Sequence, residues 1–120
     1  MERVVHFEIN AQDPQRAADF YTEVFGWSIG KWEGPMDYWL ITTGEEDEPG
    51  INGAIMTEGR APVINTIDVP SAEEAAAKVT ANGGRVLGEI QAIPGVGYHV
   101  YCQDTEGVVF GLIQDDLSAA

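Results

Sequence analysis

The first strand-like run of the chain places an imidazole and a carboxylate two positions apart. Between residues 4 and 10, apolar residues alternate with His6, Glu8 and Asn10, which is typical of a half-buried strand. Side chains two positions apart on a strand share one face and lie roughly 6–7 Å apart. His6 and Glu8 could therefore bind a divalent metal together, and Glu8 could instead transfer a proton. The alternative for His6 is a hydrogen-bonded histidine without a metal.

Few other residues suggest chemistry. His99 stands between Tyr98 and Val100 in a predicted strand, where a hydrogen-bonded histidine is the simplest interpretation. Cys102 is the single cysteine, so no internal disulfide forms, and its apolar neighbours favour a buried, inert thiol. The chain contains no phosphate-binding loop, dinucleotide fingerprint or serine-hydrolase motif.

A helix is predicted directly after the first strand. Asp13 can cap it, Pro14 suits its first position, and Gly26 ends it. Helical spacing produces one apolar stripe, which consists of Ala17, Phe20, Tyr21, Val24 and Phe25. We expect this stripe to pack on the apolar face of the strand, so that His6 and Glu8 face away from the helix.

The second half of the chain repeats this order. A predicted strand over residues 63–69 precedes Ser71 and Glu74, which form a capping box, and a narrow alanine-rich helix ends at Gly83-Gly84. Three more strands are predicted after each helix, at residues 27–32, 38–43 and 51–56, and at 85–90, 98–103 and 108–113. Turns are predicted at Gly34-Pro35 and at residues 104–107, with Gly107 at positive φ. The chain is therefore interpreted as one domain, residues 1–120, of two βαβββ modules at 1–57 and 61–115.

The predicted fold class is α+β, with the two modules forming a curved open barrel. Alternate residues of every strand would face its cavity. Counting from His6 gives a predicted ligand cavity of His6, Glu8, Ile64, Thr66, Val109 and Gly111, to which the strands near turns add Trp39, Ile41, Met56, His99 and Tyr101. Gly53, inside a predicted strand, suggests a bulge or a close approach by another group.

Composition narrows the classes of partner. The net charge is −14, from 20 acidic and 6 basic residues, which excludes nucleic acid and anionic membranes as expected partners. The excess of acidic residues could simply form a well-hydrated surface, or it could attract cationic ligands. No apolar run reaches the roughly 20 residues of a membrane span, and the first residues show no signal-peptide pattern. We therefore expect a cytoplasmic protein.

Several motifs resemble the vicinal oxygen chelate superfamily, which includes glyoxalase I, extradiol dioxygenases, methylmalonyl-CoA epimerase and bleomycin-resistance proteins. They are His6, Asp13-Pro14, the segment at residues 20–27 (FYTEVFGW), residues 75–79 with Asn82-Gly83-Gly84, and the turn at residues 104–107 (DTEG). The match covers nearly the whole chain. It specifies the fold rather than an activity, because the fold hosts several chemistries. The resemblance also implies a homodimer.

The resemblance further implies a divalent metal held by His, Glu or Gln. His6 matches the first ligand position, but Ile64, Gly53 and Gly111 stand at the other three. A single imidazole does not hold a catalytic metal tightly. A second ligand such as Glu8 or His99 could still complete a site.

Two functions follow from these observations. The first is a glyoxalase/bleomycin-resistance-like protein that binds a small molecule in the barrel cavity without an intact metal centre. Its ligand would be planar or cationic, because aromatic walls stack on planar ligands and an acidic surface attracts cations. The aromatic candidates for these walls are Trp32, Tyr38, Trp39, Tyr101 and Phe110. The alternative is a metal-dependent lyase, isomerase or dioxygenase in which His6 is a ligand and Glu8 or His99 a second ligand or proton-transfer group. The catalytic residues are unknown from sequence.

Overall fold

A computed structural model describes residues 2–34 and 37–120 of the chain. Met1, Pro35 and Met36 lie outside the described residues, and the turn predicted at Gly34-Pro35 therefore falls partly outside them. The chain divides into two compact units. The first unit is His6–Ile64, and the second unit comprises Met1–Val5 and Asn65–Ala120.

The elements of the first half are β1 (Val4–Asn10), α1 (Pro14–Phe25), β2 (Ser28–Lys31), β3 (Tyr38–Thr42) and β4 (Asn52–Met56). The sheet order is β2-β3-β4-β1, in which β4 runs parallel to β1 and the other pairs are antiparallel. As predicted, Asp13 caps α1 by accepting a hydrogen bond from the Arg16 amide, and Gly26 ends it at φ 74°. The core joins Ala18 of α1 to Ile41 and Ile55 of the sheet, with Phe7 and Ile9 packed against them.

Helix α1 packs on the sheet through only part of its predicted stripe. Ala17 packs against the core beside the buried Ala18, and the half-buried Tyr21 stacks on Trp27 with ring centroids 5.2 Å apart. Three residues of the predicted stripe instead face solvent, being 57%, 55% and 60% exposed; these are Phe20, Val24 and Phe25. The helix approaches the sheet through small side chains, which allow the two backbones to come closer, and its periodicity alone did not reveal that rotation.

The elements of the second half are β5 (Val63–Asp68), α2 (Ala72–Ala81), β6 (Arg85–Val86), β7 (Gln91–Ile93), β8 (Gly97–Gln103) and β9 (Val109–Asp115). The sheet order is β5-β9-β8-β6, and β7 also pairs with β8. The Ser71 hydroxyl accepts a hydrogen bond from the Glu74 amide and so caps α2. The core contains Val69, Val100, Cys102 and Leu112. Cys102 is buried as predicted, and burial raises the pKa of its thiol.

One predicted strand is wrong in extent. Residues 85–90 do not form a single strand, because β6 ends at Val86 and β7 begins at Gln91. Gly88 lies between them at φ 112°, a left-handed conformation that interrupts a strand, so two short strands pair with β8 instead of one. The predicted positive φ at Gly107 is confirmed at 83°. The element order confirms an α+β fold of two βαβββ-type halves. Among the described residues, no helix combines the length and apolar character that crossing a membrane requires.

Candidate functional site

The face of the first unit's sheet opposite α1 carries its polar residues. Glu8 of β1 lies opposite Ala54 of β4, which lies opposite Leu40 of β3. In the same way, Asn10 lies opposite Met56, which lies opposite Tyr38. Residues opposite one another in a sheet share a face, so Tyr38 and Met56 lie on the face of Glu8. His6, two positions before Glu8, shares it too. The predicted placement of these residues on one face agrees with the register.

Glu8 is the buried acidic residue of this face. It is 1% exposed, and its Oε2 accepts a hydrogen bond of 2.5 Å from the Tyr38 hydroxyl. The Trp32 ring lies 6.0 Å from the Tyr38 ring, centroid to centroid. Burial of a carboxylate costs free energy unless hydrogen bonds and charges compensate. Keeping Glu8 buried at this position therefore lowers the stability of the fold unless its contacts offset that cost.

His6 is half-buried beside Glu8 on the same strand. Burial lowers the pKa of its imidazole below the ordinary value, while the negative charge of Glu8 acts in the opposite direction with a smaller effect. The ring is therefore neutral at neutral pH, the form that can bind a metal or accept a proton. This is the single residue at the family's expected ligand positions that has a donor side chain.

Two residues of the predicted cavity lie on the other face. Trp39 pairs with Ile55 and Ile41 pairs with Gly53, and both pack in the core beneath α1. The Lys31 ammonium lies 5.2 Å from the Trp39 ring centroid. The prediction is wrong by one residue of register on β3. A shift of one residue moves every side chain of a strand to the other face, and the sequence does not determine the register that the preceding loop gives to β3. Tyr38, rather than Trp39, is the aromatic residue beside Glu8.

In the second unit, the residues predicted to line the cavity share the face opposite α2. The register pairs Thr66 with Gly111 and Tyr101 with Gly111, and His99 lies two positions before Tyr101. Val109 lies two positions before Gly111 on β9. Ile64, the last residue of the first unit, lies two positions before Thr66 on β5 and so points to the same strand face. The alternate residues, including Leu112 and Val100, pack under α2. Phe110 also packs there, so it does not belong to the polar face.

The space above Gly111 is already occupied by side chains of its own unit. A Cβ atom at Gly111 would lie 2.8 Å from His99 Nε2 and 3.0 Å from Thr66 Oγ1. The His99 ring meets the Tyr101 ring edge to face, with centroids 4.5 Å apart. The missing side chain therefore lets the imidazole lie across β9 and approach the threonine hydroxyl.

These positions do not fit the metal that the resemblance implies. Gly111 and Gly53 have no side chain, and a Cβ at Gly53 would overlap the backbone oxygen of Phe7, which confirms the predicted close approach. Ile64 is apolar and fully buried. Within residues 2–34 and 37–120, no three His, Cys, Asp or Glu side chains are grouped so that they could hold a metal ion.

The pairing of Tyr38 with Glu8 was not predicted from the sequence, where Tyr38 was only an aromatic wall candidate. The partner of a carboxylate 30 positions away depends on strand register. The available signal was indirect: Met56 was predicted on the cavity face, and Tyr38 is its register partner.

Comparison with known proteins identifies the relatives of this arrangement. A family model described as Glyoxalase/Bleomycin resistance protein/Dioxygenase superfamily matches residues 3–112. No curated protein sequence matches the chain.

Solved structures resemble the chain over nearly its whole length. A hypothetical protein from Bacillus halodurans has a TM-score of 0.74 at 15% identity, with 99% of this chain and 98% of that chain covered. A methylmalonyl-CoA epimerase from Streptomyces coelicolor, in complex with 2-nitronate-propionyl-CoA, has a TM-score of 0.72 at 15% identity, covering 98% and 97%. The epimerase from Mycobacterium tuberculosis has a TM-score of 0.70 at 12% identity, covering 94% and 87%. At these identities the likeness establishes the fold.

Proposed function

The chain belongs to the Glyoxalase/Bleomycin resistance protein/Dioxygenase superfamily, the vicinal oxygen chelate superfamily, and from this premise we propose that it binds a small molecule over the sheet face that carries Glu8. The observation that supports this is the buried carboxylate of Glu8 with its phenol partner Tyr38. Burying a carboxylate costs free energy, so a buried carboxylate on a polar sheet face is a candidate for ligand recognition.

The ligand that this face suits is cationic or planar. The Glu8 carboxylate, whose Oε2 accepts a hydrogen bond from the Tyr38 hydroxyl, would attract a ligand ammonium or amidine by its charge. The Tyr38 and Trp32 rings offer surface for stacking. The net charge of −14 favours the approach of a cation over that of an anion.

The proposal includes the absence of an intact metal centre. Of the four ligand positions implied by the family, His6 alone has a donor side chain, as described above. Titration with Ni, Zn, Mn and Fe(II), after metal analysis of protein purified without chelator, is expected to show no stoichiometric ion. A stoichiometric metal that is lost in His6→Ala would overturn this part of the proposal and favour a metal-dependent enzyme.

A ligand screen with matched variants tests the binding site itself. Cationic and planar compounds should raise the melting temperature of the wild-type protein, and Glu8→Gln should remove the response to cations. Tyr38→Phe should weaken it less, because the carboxylate remains. Glu33→Gln is the control, since Glu33 is an exposed carboxylate in the same unit. Compounds that bind Glu8→Gln as well as wild type would show that the site is elsewhere.

An isomerase is the second candidate, and Glu8 is again the observation that favours it. A carboxylate beside a phenol can take a proton from a carbon next to a carbonyl and return it. Two of the similar structures are methylmalonyl-CoA epimerases. Against a coenzyme A thioester stands the charge of −14, which would repel a polyanionic substrate at long range.

Hydrogen exchange distinguishes the two candidates. Methylmalonyl-CoA and smaller uncharged 2-substituted carbonyl compounds are incubated with the protein in D2O, and deuterium incorporation is followed by mass spectrometry. An isomerase incorporates deuterium at the carbon next to the carbonyl, and Glu8→Gln abolishes the exchange. A binding protein gives the same slow exchange as the buffer control.

The proposed partner at the protein level is a second copy of the chain. The exposed apolar side of α1, formed by Phe20, Val24 and Phe25, is the surface that such pairing would cover. Sedimentation velocity should then show a dimer at micromolar concentration, and Phe20→Glu should shift it toward monomer. A wild-type monomer under these conditions would contradict the pairing. The proposed location remains the cytoplasm.

A further inference from the structure

A groove lies beside α2, on the side of the second unit's sheet that faces away from Gly111. Its volume is about 350 Å³, at the lower end of the roughly 300–1,000 Å³ of small-molecule sites. The apolar residues that line it are Ile67, Val69, Pro70, Ala75, Val79 and Leu112. On the α2 side, the half-buried Ala75 lines the groove with a short side chain. A longer side chain at this position would fill part of the space.

The surroundings of this groove are acidic. Glu2 and Glu74 line it, and Lys78 is the one cation among its lining residues. A neighbouring cavity of about 310 Å³ is lined by Glu2, Asp68 and Asp115 together with Val69 and Pro70. The two spaces adjoin, since both are lined by Glu2, Val69 and Pro70. An apolar trough thus leads to a region where carboxylates outnumber ammonium groups.

We propose that this groove binds a small cationic amphiphile, an apolar body with an ammonium or guanidinium head. The body would contact Ile67, Val79 and Leu112, where burial of apolar surface stabilises binding. The head would lie toward Glu2 and Asp68. An anion of the same shape would be repelled by these carboxylates and by the net charge of −14. None of the residues of the Glu8 face lines the groove, so this site is separate from the proposed function.

Three probes separate the parts of the proposal. Octyltrimethylammonium has both the apolar body and the charge, octanoate has the body with the opposite charge, and tetramethylammonium has the charge alone. Amide chemical-shift changes in ¹⁵N-labelled protein, measured below the micelle concentration, should be saturable for octyltrimethylammonium and should map to α2, β5 and β9. Octanoate and tetramethylammonium should cause much smaller changes there. Saturable binding of octanoate, or no saturable change with octyltrimethylammonium, overturns the proposal.

A pair of leucine variants on α2 tests the position. Ala75→Leu fills the groove and should weaken octyltrimethylammonium binding by at least about tenfold, since it displaces two or more methylene groups of the probe. Ala77→Leu is the matched control, because Ala77 is exposed on the same helix and does not line the groove. Equal affinity in Ala75→Leu and Ala77→Leu overturns the assignment.

A charge variant keeps the test decisive if Ala75→Leu disturbs the helix. Asp68→Asn leaves the apolar trough intact and should weaken binding of the cation by about threefold, the size of one partly exposed charge interaction. Glu33→Gln removes an exposed carboxylate that does not line the groove, and it should leave the affinity unchanged. If Glu8→Gln weakens the cation and Asp68→Asn does not, the probe binds at the Glu8 face and the groove proposal fails.

Discussion

The two halves of the chain have the same order of elements, but their helices cover their sheets in different ways. Helix α1 has large aromatic residues and leaves Phe20, Val24 and Phe25 exposed. Helix α2 has alanines and leaves a groove between itself and the sheet. The first leaves apolar surface that suits a partner, and the second leaves apolar space that suits a ligand. A repeated order of elements therefore does not imply repeated packing.

The polar faces of the two sheets differ as well. In the first unit, the face holds a buried carboxylate that pairs with a phenol, Glu8 with Tyr38. In the second unit, Gly111 lets His99 lie across the strand toward Thr66. Equivalent glycines, Gly53 and Gly111, are used differently, since one admits a neighbouring strand's backbone and the other admits a side chain.

The largest effect is expected for Gly53→Ala. The added Cβ would overlap the backbone oxygen of Phe7 and approach its ring carbons to 2.7 Å. Backbone in a strand pair cannot move without disturbing the ladder, so unfolding free energy should fall by about 3 kcal/mol, at the upper end of overpacking costs. Urea denaturation measures it. A loss below that of Gly111→Ala would show that β1 and β4 adapt more easily than the second unit.

A smaller loss is expected for Tyr38→Phe. The change removes the hydroxyl that donates to Glu8 and leaves a buried carboxylate with one donor fewer. The free energy of unfolding should fall by about 1–3 kcal/mol at neutral pH, the range for losing a hydrogen bond to a charged group. Tyr98→Phe in the second unit is the comparison. Among the described residues, no carboxylate accepts a hydrogen bond from the Tyr98 hydroxyl. Equal losses would contradict a special role for the Glu8 pair.

Gly111→Ala should cost about 1 kcal/mol, at the lower end for added volume in a packed site. The new Cβ meets side-chain atoms, His99 Nε2 and Thr66 Oγ1, rather than backbone, so relief requires the imidazole to shift and not a strand. The displaced imidazole should be visible as a change in the His99 ring signals by NMR. Unchanged His99 signals would show that the ring does not lie over Gly111 in solution.

The smallest effect is a pH dependence that belongs to the first unit. Burial lowers the pKa of His6 in the folded state below its unfolded value. The unfolded chain therefore binds the proton more readily, and stability decreases as pH falls through the ordinary histidine range toward the lowered pKa. His6→Gln should flatten this part of the stability profile between about pH 7 and pH 5. A slope that is the same in His6→Gln would assign the dependence to other groups.

Much of the fold was accessible from the sequence. Asp13 and Ser71 cap their helices as predicted, and Gly26 and Gly107 take a positive φ. The order of elements along the chain is also as expected, apart from the division of one strand at Gly88. The site was accessible only in part. His6 and Glu8 share a face because alternation along one strand is a local property, whereas Trp39 and Ile41 were placed on the wrong face.

The sequence by itself determined the elements, their caps and turns, and the polar face of β1, because each depends on residues within about four positions of one another. Only the tertiary structure decided which side of α1 is buried, that Tyr38 rather than Trp39 meets Glu8, and that His99 fills the space above Gly111. These outcomes depend on strand register and helix rotation. Both are set by packing between segments far apart in the chain, where a shift of one residue reverses every side chain of a strand.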